Sequence, residues 1–324
     1  MRRDHDLLKY ANTRGKGIEI APYSNPMVPK RAGYDVLILD VFDTDTLRQK
    51  ARQDPMIPNE RIAKIEPVDI VGDASQLINI VKQKGLEAQI DYIVSAHNFE
   101  HLPNPIKFLQ GVEHALKPGG FVSMIVPDYR ACFDHFRMPT RLSDWLAAYH
   151  ENRTQPNAET LFDGNAFSAV YMSAYGPKTG RRLGWDSPEH FQPNKNVRQL
   201  YDAYTKNKGE LAGYTDAHCS VFFPESLALL LLDLQHIGLI KLEIKEISAT
   251  CRRDFYVHLT KPLTPSMTGD DEYYEQRDRL LRAISKNLGA APFEKTNPAL
   301  RRLENTFRAI SHKIRDAGRR LRGK

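Results

Sequence analysis

Three cysteines in 324 residues, at positions 132, 219 and 251, are too few and too scattered for a disulfide framework or a metal-ligand spacing. Such thiols fit a reducing compartment. No run of eighteen apolar residues occurs, so no membrane-spanning helix is expected. The opening stretch, MRRDHDLLKYANTRGKG, lacks the apolar core of a secretory signal. Internal repeats are absent, and so is any motif that reads DNA or RNA, so no nucleic-acid partner is expected. These absences point to a cytoplasmic globular protein, long enough for one or two domains with a full core. Charge is unevenly placed: the net is +6, yet residues 276–324 alone carry 14 Lys and Arg against 4 Asp and Glu. The basic balance therefore describes a tail, and the body is slightly acidic.

Residues 91–128, DYIVSAHNFEHLPNPIKFLQGVEHALKPGGFVSMIVPD, read as strand, polar corner, helix, glycine turn and strand. Tyr92, Ile93 and Val94 make an apolar run rich in β-formers and too short for a helix. Pro103 and Pro105 break the chain, and Asn104 is a suitable helix cap. Ile106, Leu109, Val112 and Leu116 then recur at helical spacing until Pro118-Gly119-Gly120 ends the helix. Residues 121–126 are apolar almost throughout, as a doubly covered parallel strand is. Strand, helix and strand of this length form one right-handed crossover of a parallel sheet, in which ligands bind beyond the carboxyl ends of the strands. The polar tips at 95–101 and 127–129 then face one crevice.

This run resembles the middle motifs of class I S-adenosylmethionine-dependent methyltransferases, most specifically in the Glu100-His101-Leu102 corner and the Leu116-Lys117-Pro118-Gly119-Gly120 turn. More narrowly, roughly residues 15–261 resemble methyltransferase-domain proteins associated with bacterial surface-polysaccharide biosynthesis. The resemblance implies an α/β fold: a Rossmann-like seven-stranded methyltransferase sheet, its last strand antiparallel, with a lid-like insertion and a C-terminal helical tail. It implies S-adenosylmethionine as cofactor and a carbohydrate or other small-molecule acceptor, methylated on oxygen.

On that implication the cofactor lies along the strand ends. Residues 16–21 are the first strand and its exit, with Gly17, Glu19, Ile20 and Ala21 as cofactor-lining candidates. Glu19 matches the family's acidic position, whereas residues 21–26 depart from its glycine-rich loop and hold Pro22 and Pro26 instead. Asp40, closing a second strand at 34–39, is expected to accept the ribose hydroxyls; Asp43 is better placed to cap the next helix. After a third strand at 68–71, Asp73 and Ala74 are expected beside the adenine, with a helix cap as the alternative for Asp73. Ser95 and His97 are expected at the methionine end. The catalytic candidates are His97, Asp128 and His218, each a group able to orient or take the proton of an acceptor hydroxyl. A turn or helix cap is the alternative for Asp128, and His101 is expected to fix its loop. Residues 97–101 also match H-x-x-E-H, a zinc-peptidase pattern that needs a regular helix. Pro103 and Pro105 deny it one, so no metal is expected.

Residues 129–220 are an insertion where a compact sheet needs only a helix. Leu142, Trp145, Leu146 and Tyr149 form a helical stripe that reads as core. In 174–194, Arg181, Arg182, Trp185 and Phe191 suit either a cover over a sugar or phosphate or an ordinary surface excursion. A helix at 224–236 and an antiparallel pair at 239–247 and 255–259 close a domain spanning 1–261. Residues 262–324 are a basic helical tail, with helices expected at 272–288 and 299–322. Leu303, Phe307, Ile310 and Ile314 lie on one face, suited to a membrane surface, a partner enzyme or the catalytic body itself. A location peripheral to the inner face of the membrane follows from the first of these. Two other readings are a non-catalytic scaffold in polysaccharide assembly and a nicotinamide-dependent reductase. Asp40 allows the second, but its Tyr204 and Lys208 spacing is a chance match without a glycine-rich loop beside it.

Overall fold

The computed structural model describes residues 3–173, 176–178, 191–193, 196–206, 215–264 and 269–288. The chain opens with α1 (Arg3–Leu7), β1 (Gly17–Ile20), β2 (Val36–Asp40), α2 (Thr44–Gln53) and α3 (Asn59–Ile62). There follow β3 (Ile70–Val71), α4 (Leu77–Lys84), β4 (Ile90–Ala96), α5 (Pro105–Ala115) and β5 (Leu116–Pro127). The insertion holds α6 (Leu142–His150), α7 (Ala158–Ala166), β6 (Ala169–Ser173), β7 (Gly176–Lys178), β8 (Phe191–Pro193) and α8 (Val197–Lys206). The chain then adds α9 (Pro224–His236), β9 (Glu243–Ile247), β10 (Asp254–Thr260) and α10 (Asp270–Asn287).

Seven strands form one sheet in the order β3-β2-β1-β4-β5-β10-β9. Strands β1 to β5 are parallel, and β10 runs antiparallel to both β5 and β9. The order reverses between β1 and β4, and that switch point opens a crevice at the carboxyl ends. The 91–128 crossover and the closing antiparallel pair take their expected places in it, and its seven strands are those that the resemblance implies. A second sheet, β7-β6-β8, lies wholly within the insertion.

Alternation sends side chains to two cores. Ile18, Ile20, Leu39, Ile93, Val122, Met124 and Val126 join residues of α4, α5 and α9 and Trp145 of α6 in the larger one. Val36, Ile38, Tyr92, Val94 and Ile125 face the other side, where Leu7, Met27 and Val28 cover them. Between β1 and β2 the second face has no long helix; Pro22, Pro26 and Pro29 stop one, and a single 3-10 turn at Lys30–Ala32 remains.

Local chemistry explains α5. Asn104 accepts from the Lys107 N–H at 3.2 Å, Pro105 occupies the first turn, and the Asn104 amide donates to the Ala148 carbonyl at 2.9 Å. A Cβ on Gly111 would lie 2.7 Å from the Ile78 nitrogen, so glycine permits the close crossing of α5 over α4. The turn expected at 116–120 differs from the sequence expectation. Residues 116–120 are part of β5: Ile90 pairs with Leu116, and after a register shift Tyr92 pairs with Phe121. Gly119, at φ 80°, supplies the left-handed step that lets the strand absorb the extra residues.

The helix at 142–150 carries Trp145 into the core, where its indole N–H donates to Ser220 Oγ at 2.9 Å. The first tail helix, α10, docks on α9. Tyr273 Oη donates to Asp233 at 2.9 Å, the Arg277 side chain donates to the same carboxylate at 3.1 Å, and the His236 and Tyr273 rings stack at 3.5 Å. Arg181, Arg182, Trp185 and Lys208, and the expected helix at 299–322, lie outside the described residues. Phe191 is described, and stacks on His135 at 4.6 Å rather than standing open. Tyr204 donates to Glu159 at 3.1 Å. Among the described residues no helix is long and apolar enough to cross a membrane.

Candidate active site

The strand ends bring most of the expected cofactor residues together. The Ala21 N–H donates to the Leu39 carbonyl and the Gly72 N–H to the Asp40 carbonyl, while Ile20 stands beside Ser95 in the β1–β4 register. Ile20, Ala21, Asp40, Asp73, Ala74 and Ser95 therefore share one edge of the sheet. Ala21 and Tyr23 both hold left-handed backbones, at φ 45° and 48°. These are conformations that glycine adopts freely and other residues adopt at a cost of about 1–2 kcal/mol each. The loop thus has two left-handed steps, two residues apart, without the glycines.

Glu19 closes this loop from beneath. Its carboxylate accepts from the Met27 N–H at 2.6 Å and the Val28 N–H at 3.3 Å, and only 2% of the residue is exposed. Burial pushes its pKa up to about 7 against the opposing pull of those two donors. Asp40 is buried at the β2 end, accepts from the Phe42 N–H at 3.1 Å, and is pushed by burial up to about 6. Asp73 caps the 3-10 turn at Ala74–Gln76 by accepting from the Ser75 N–H at 2.7 Å, and burial raises its pKa. Ser95 Oγ is buried at the β4 end with no hydrogen-bond partner. Gly17 does not join this group. It sits at the amino end of β1, and a Cβ there would lie 2.2 Å from the Tyr92 ring, so ring packing accounts for the glycine.

Beyond β4 the chain turns sharply at His97, φ 54°, into a 3-10 turn at Phe99–His101. His97 Nδ1 lies 3.6 Å from Glu100 and Nε2 lies 3.5 Å from Asp254. Burial opposes charge on this ring, but the carboxylates of Asp254 and Glu100 outweigh it and raise its pKa to about 9. His97 is thus a cation at neutral pH, a hydrogen-bond donor rather than a base. His101 Nδ1 lies 2.8 Å from Asp216; burial again opposes charge, and Asp216 with Glu100 raises the pKa. His218 Nδ1 meets Asp134 at 2.6 Å, and the His218 and His101 rings meet edge to face at 4.6 Å. Asp134 is itself buried and held by Arg137 at 2.9 Å. Burial would raise its pKa, but His218 and Arg137 together keep it low. Among these groups stands Glu100, 1% exposed. Burial pushes its carboxyl up, and His97, His101 and His218 outweigh that and hold it ionised.

Asp128 takes its alternative role. Its carboxylate accepts from Arg130 N–H at 3.0 Å, Nε at 2.9 Å and Nη2 at 2.6 Å, and from the Thr250 hydroxyl at 2.5 Å. It is fully buried, and with every lone pair engaged it caps a turn and pins Arg130 instead of serving an acceptor. The Arg130 guanidinium in turn donates to the Asn287 carbonyl at the end of α10, at 3.2 Å. Sequence reasoning missed Glu100, Asp134, Asp216 and Asp254 as parts of one constellation. The H-x-x-E-H pattern was the signal for Glu100; the three aspartates come from distant segments and carry none.

A family model described as "Methyltransferase domain" matches residues 4–168. No curated protein sequence matches. Among solved structures the chain is similar to a SAM-dependent methyltransferase from Methanosarcina mazei, with 15% identity over 80% of this chain and 98% of that one and a TM-score of 0.40. It is also similar to the PH0226 protein from Pyrococcus horikoshii OT3, with 16% identity over 78% and 85% and a TM-score of 0.37. A third is an S-adenosylmethionine-dependent methyltransferase from Mesorhizobium loti, with 11% identity over 80% and 98% and a TM-score of 0.38. Superpositions this loose say nothing of substrate or chemistry.

Proposed function

The chain belongs to the methyltransferase-domain family, and on that premise we propose that it is an S-adenosylmethionine-dependent methyltransferase acting on an oxygen of a carbohydrate or glycan intermediate. The observation that carries the transfer chemistry is the pairing of buried Asp134 with His218 beside the mouth of the crevice. The cofactor supplies, when bound, a methyl group already activated by its sulfonium, so that alignment and a proton acceptor are the protein's main tasks. The strand ends suit the donor: the left-handed loop at Ala21 and Tyr23 wraps it, Asp40 accepts ribose hydroxyls, and Asp73 and Ala74 border the adenine. Ser95 Oγ, buried without a partner, offers a hydrogen bond at the methionine end.

Asp134 on Nδ1 fixes the His218 tautomer and leaves Nε2 to receive the proton of the acceptor hydroxyl as its oxygen bonds the methyl carbon. His97, a cation between Glu100 and Asp254, fixes this corner rather than taking a proton. The resemblance to polysaccharide-associated proteins supports a glycan acceptor. The basic charge of residues 289–324 supports recruitment to an anionic membrane face or a partner enzyme on the cytoplasmic side.

Transfer of a labelled methyl from S-adenosylmethionine to oligosaccharide or sugar-nucleotide acceptors tests this reading. His218→Asn is expected to lower the rate by about 100-fold or more, with donor affinity unchanged. A protein that binds donor but methylates no hydroxyl acceptor would instead favour the scaffold.

A further inference from the structure

The histidine corner has a feature that proton transfer alone does not use. Glu100, His101 and His218 each offer one ligand atom, and these atoms all lie within 4.8 Å of one another. Glu100 Oε2 is buried without a hydrogen-bond partner, although the residue is only 1% exposed. A fully buried carboxylate oxygen left unpaired in a folded protein is a sign of a missing partner. Each imidazole has a carboxylate near Nδ1, hydrogen-bonded only in His218. His218 has Asp134 on Nδ1 at 2.6 Å, and His101 has Asp216 at 2.8 Å from Nδ1. In His218 a carboxylate holds Nδ1 and leaves Nε2 for a ligand; His101 Nδ1 lies near Asp216 without a hydrogen bond, and His101 Nε2 lies 3.8 Å from Glu100 Oε1. Carboxylate–histidine pairs behind the ligating nitrogens are the usual outer support of a metal site.

We propose that Glu100, His101 and His218 bind a divalent transition cation, zinc first among them, with an open position facing the crevice. Two imidazoles and one carboxylate favour zinc-like cations over magnesium or calcium, and three protein ligands leave room for an oxygen ligand. Ligand bonds of about 2.1 Å place tetrahedral ligand atoms about 3.4 Å apart, so the side chains close by about an ångström around the ion. The H-x-x-E-H pattern suggested no metal because it lacks a helix; here only its second and third members serve, and the remaining ligand arrives from residue 218. The use of the ion rests on the methyl-transfer reading: the open position takes the acceptor hydroxyl and lowers its pKa. With the ion bound, the cation replaces His218 as the activating group: the His218 lone pair is a ligand and the hydroxyl proton leaves to water.

The test is calorimetric titration of the metal-stripped full-length protein with zinc, and with magnesium for comparison, without donor or acceptor. The cobalt-substituted protein adds a visible absorption spectrum. Stoichiometric zinc binding is expected, weakened at least tenfold by His218→Asn and by Glu100→Gln. Asp134→Asn is expected to weaken it by about 10- to 100-fold, and Cys219→Ser to leave it intact. Circular dichroism confirms folding of each variant, and His218→Asn, at a partly open position, keeps the test valid where Glu100→Gln does not fold. No zinc binding, equal binding by these variants, loss in Cys219→Ser, or preference for magnesium would each overturn the assignment, leaving a buried ion-pair network. A protein that binds S-adenosylmethionine but no zinc fails this inference alone.

Discussion

Glu19 is a carboxylate placed where water cannot reach it, on the side of β1 that faces the proline loop. Its pKa rises from 4.5 to about 7 because burial outweighs the two backbone donors that hold it. A carboxyl with a raised native pKa adds stability below pH 4.5 that is lost as the pH climbs through 7, because the unfolded chain releases the proton first. Glu19→Gln removes that dependence. The stability of the variant relative to the wild type is expected to rise by roughly 3 kcal/mol between pH 4 and 8; a constant difference in denaturant melts across that range would refute the burial account. Ala21 gives a second residue-scale test. Its backbone is left-handed, so Ala21→Gly relieves strain and should stabilise the fold by about 0.5–1 kcal/mol, read as a rise in melting temperature. Asp128→Ala should do the opposite, costing about 3–5 kcal/mol in chemical denaturation because buried Arg130 loses its counter-charge. At this scale the sequence marked Glu19, Asp40 and Asp73 as acids at strand ends. It did not show what each acid touches: Asp128 and Asp73 offered both a cap and a ligand role, and only the positions of Arg130, Thr250 and Ser75 decide what their carboxylates hold.

Elements were the most legible part of the chain. β4, α5 and the body of β5 stand where the apolar runs and the Asn104 cap place them, because period and capping are local properties. The exceptions have long-range causes. β3 is two residues long, since its ladder with β2 holds only the pairs Ile70 with Leu39 and Val71 with Asp40. Residues 116–120 join β5 because Ile90 and Lys261 hold them there. The docking of α10 was not legible in the sequence, because it rests on Asp233: one buried carboxylate on α9 receives both Tyr273 and Arg277. Asp233→Ala is expected to speed amide exchange across residues 270–287 while the amides of β4 and β5 keep their protection. Unchanged exchange in α10 would show that its docking rests on other contacts, such as Asn287 to Glu225 and Arg130 to the helix end.

At the scale of the molecule, the strand–helix–strand crossover implied a parallel sheet, and the resemblance to class I methyltransferases implied its seven strands and the antiparallel last one. The crevice at its switch point follows from that order. The chemistry inside the crevice does not. His218 and Asp134 both come from the insertion, Asp254 opens β10, and they meet Glu100 only once the sheet is assembled. The central claim is that this sheet edge holds S-adenosylmethionine through a loop that has the shape of a glycine-rich turn without its glycines. Calorimetric titration with S-adenosylmethionine and S-adenosylhomocysteine, beside the Asp40→Ala variant, tests it most directly. The wild type is expected to bind both with micromolar affinity, and the variant at least tenfold more weakly. Folded protein that binds neither compound, or a variant that binds as well as the wild type, would contradict it.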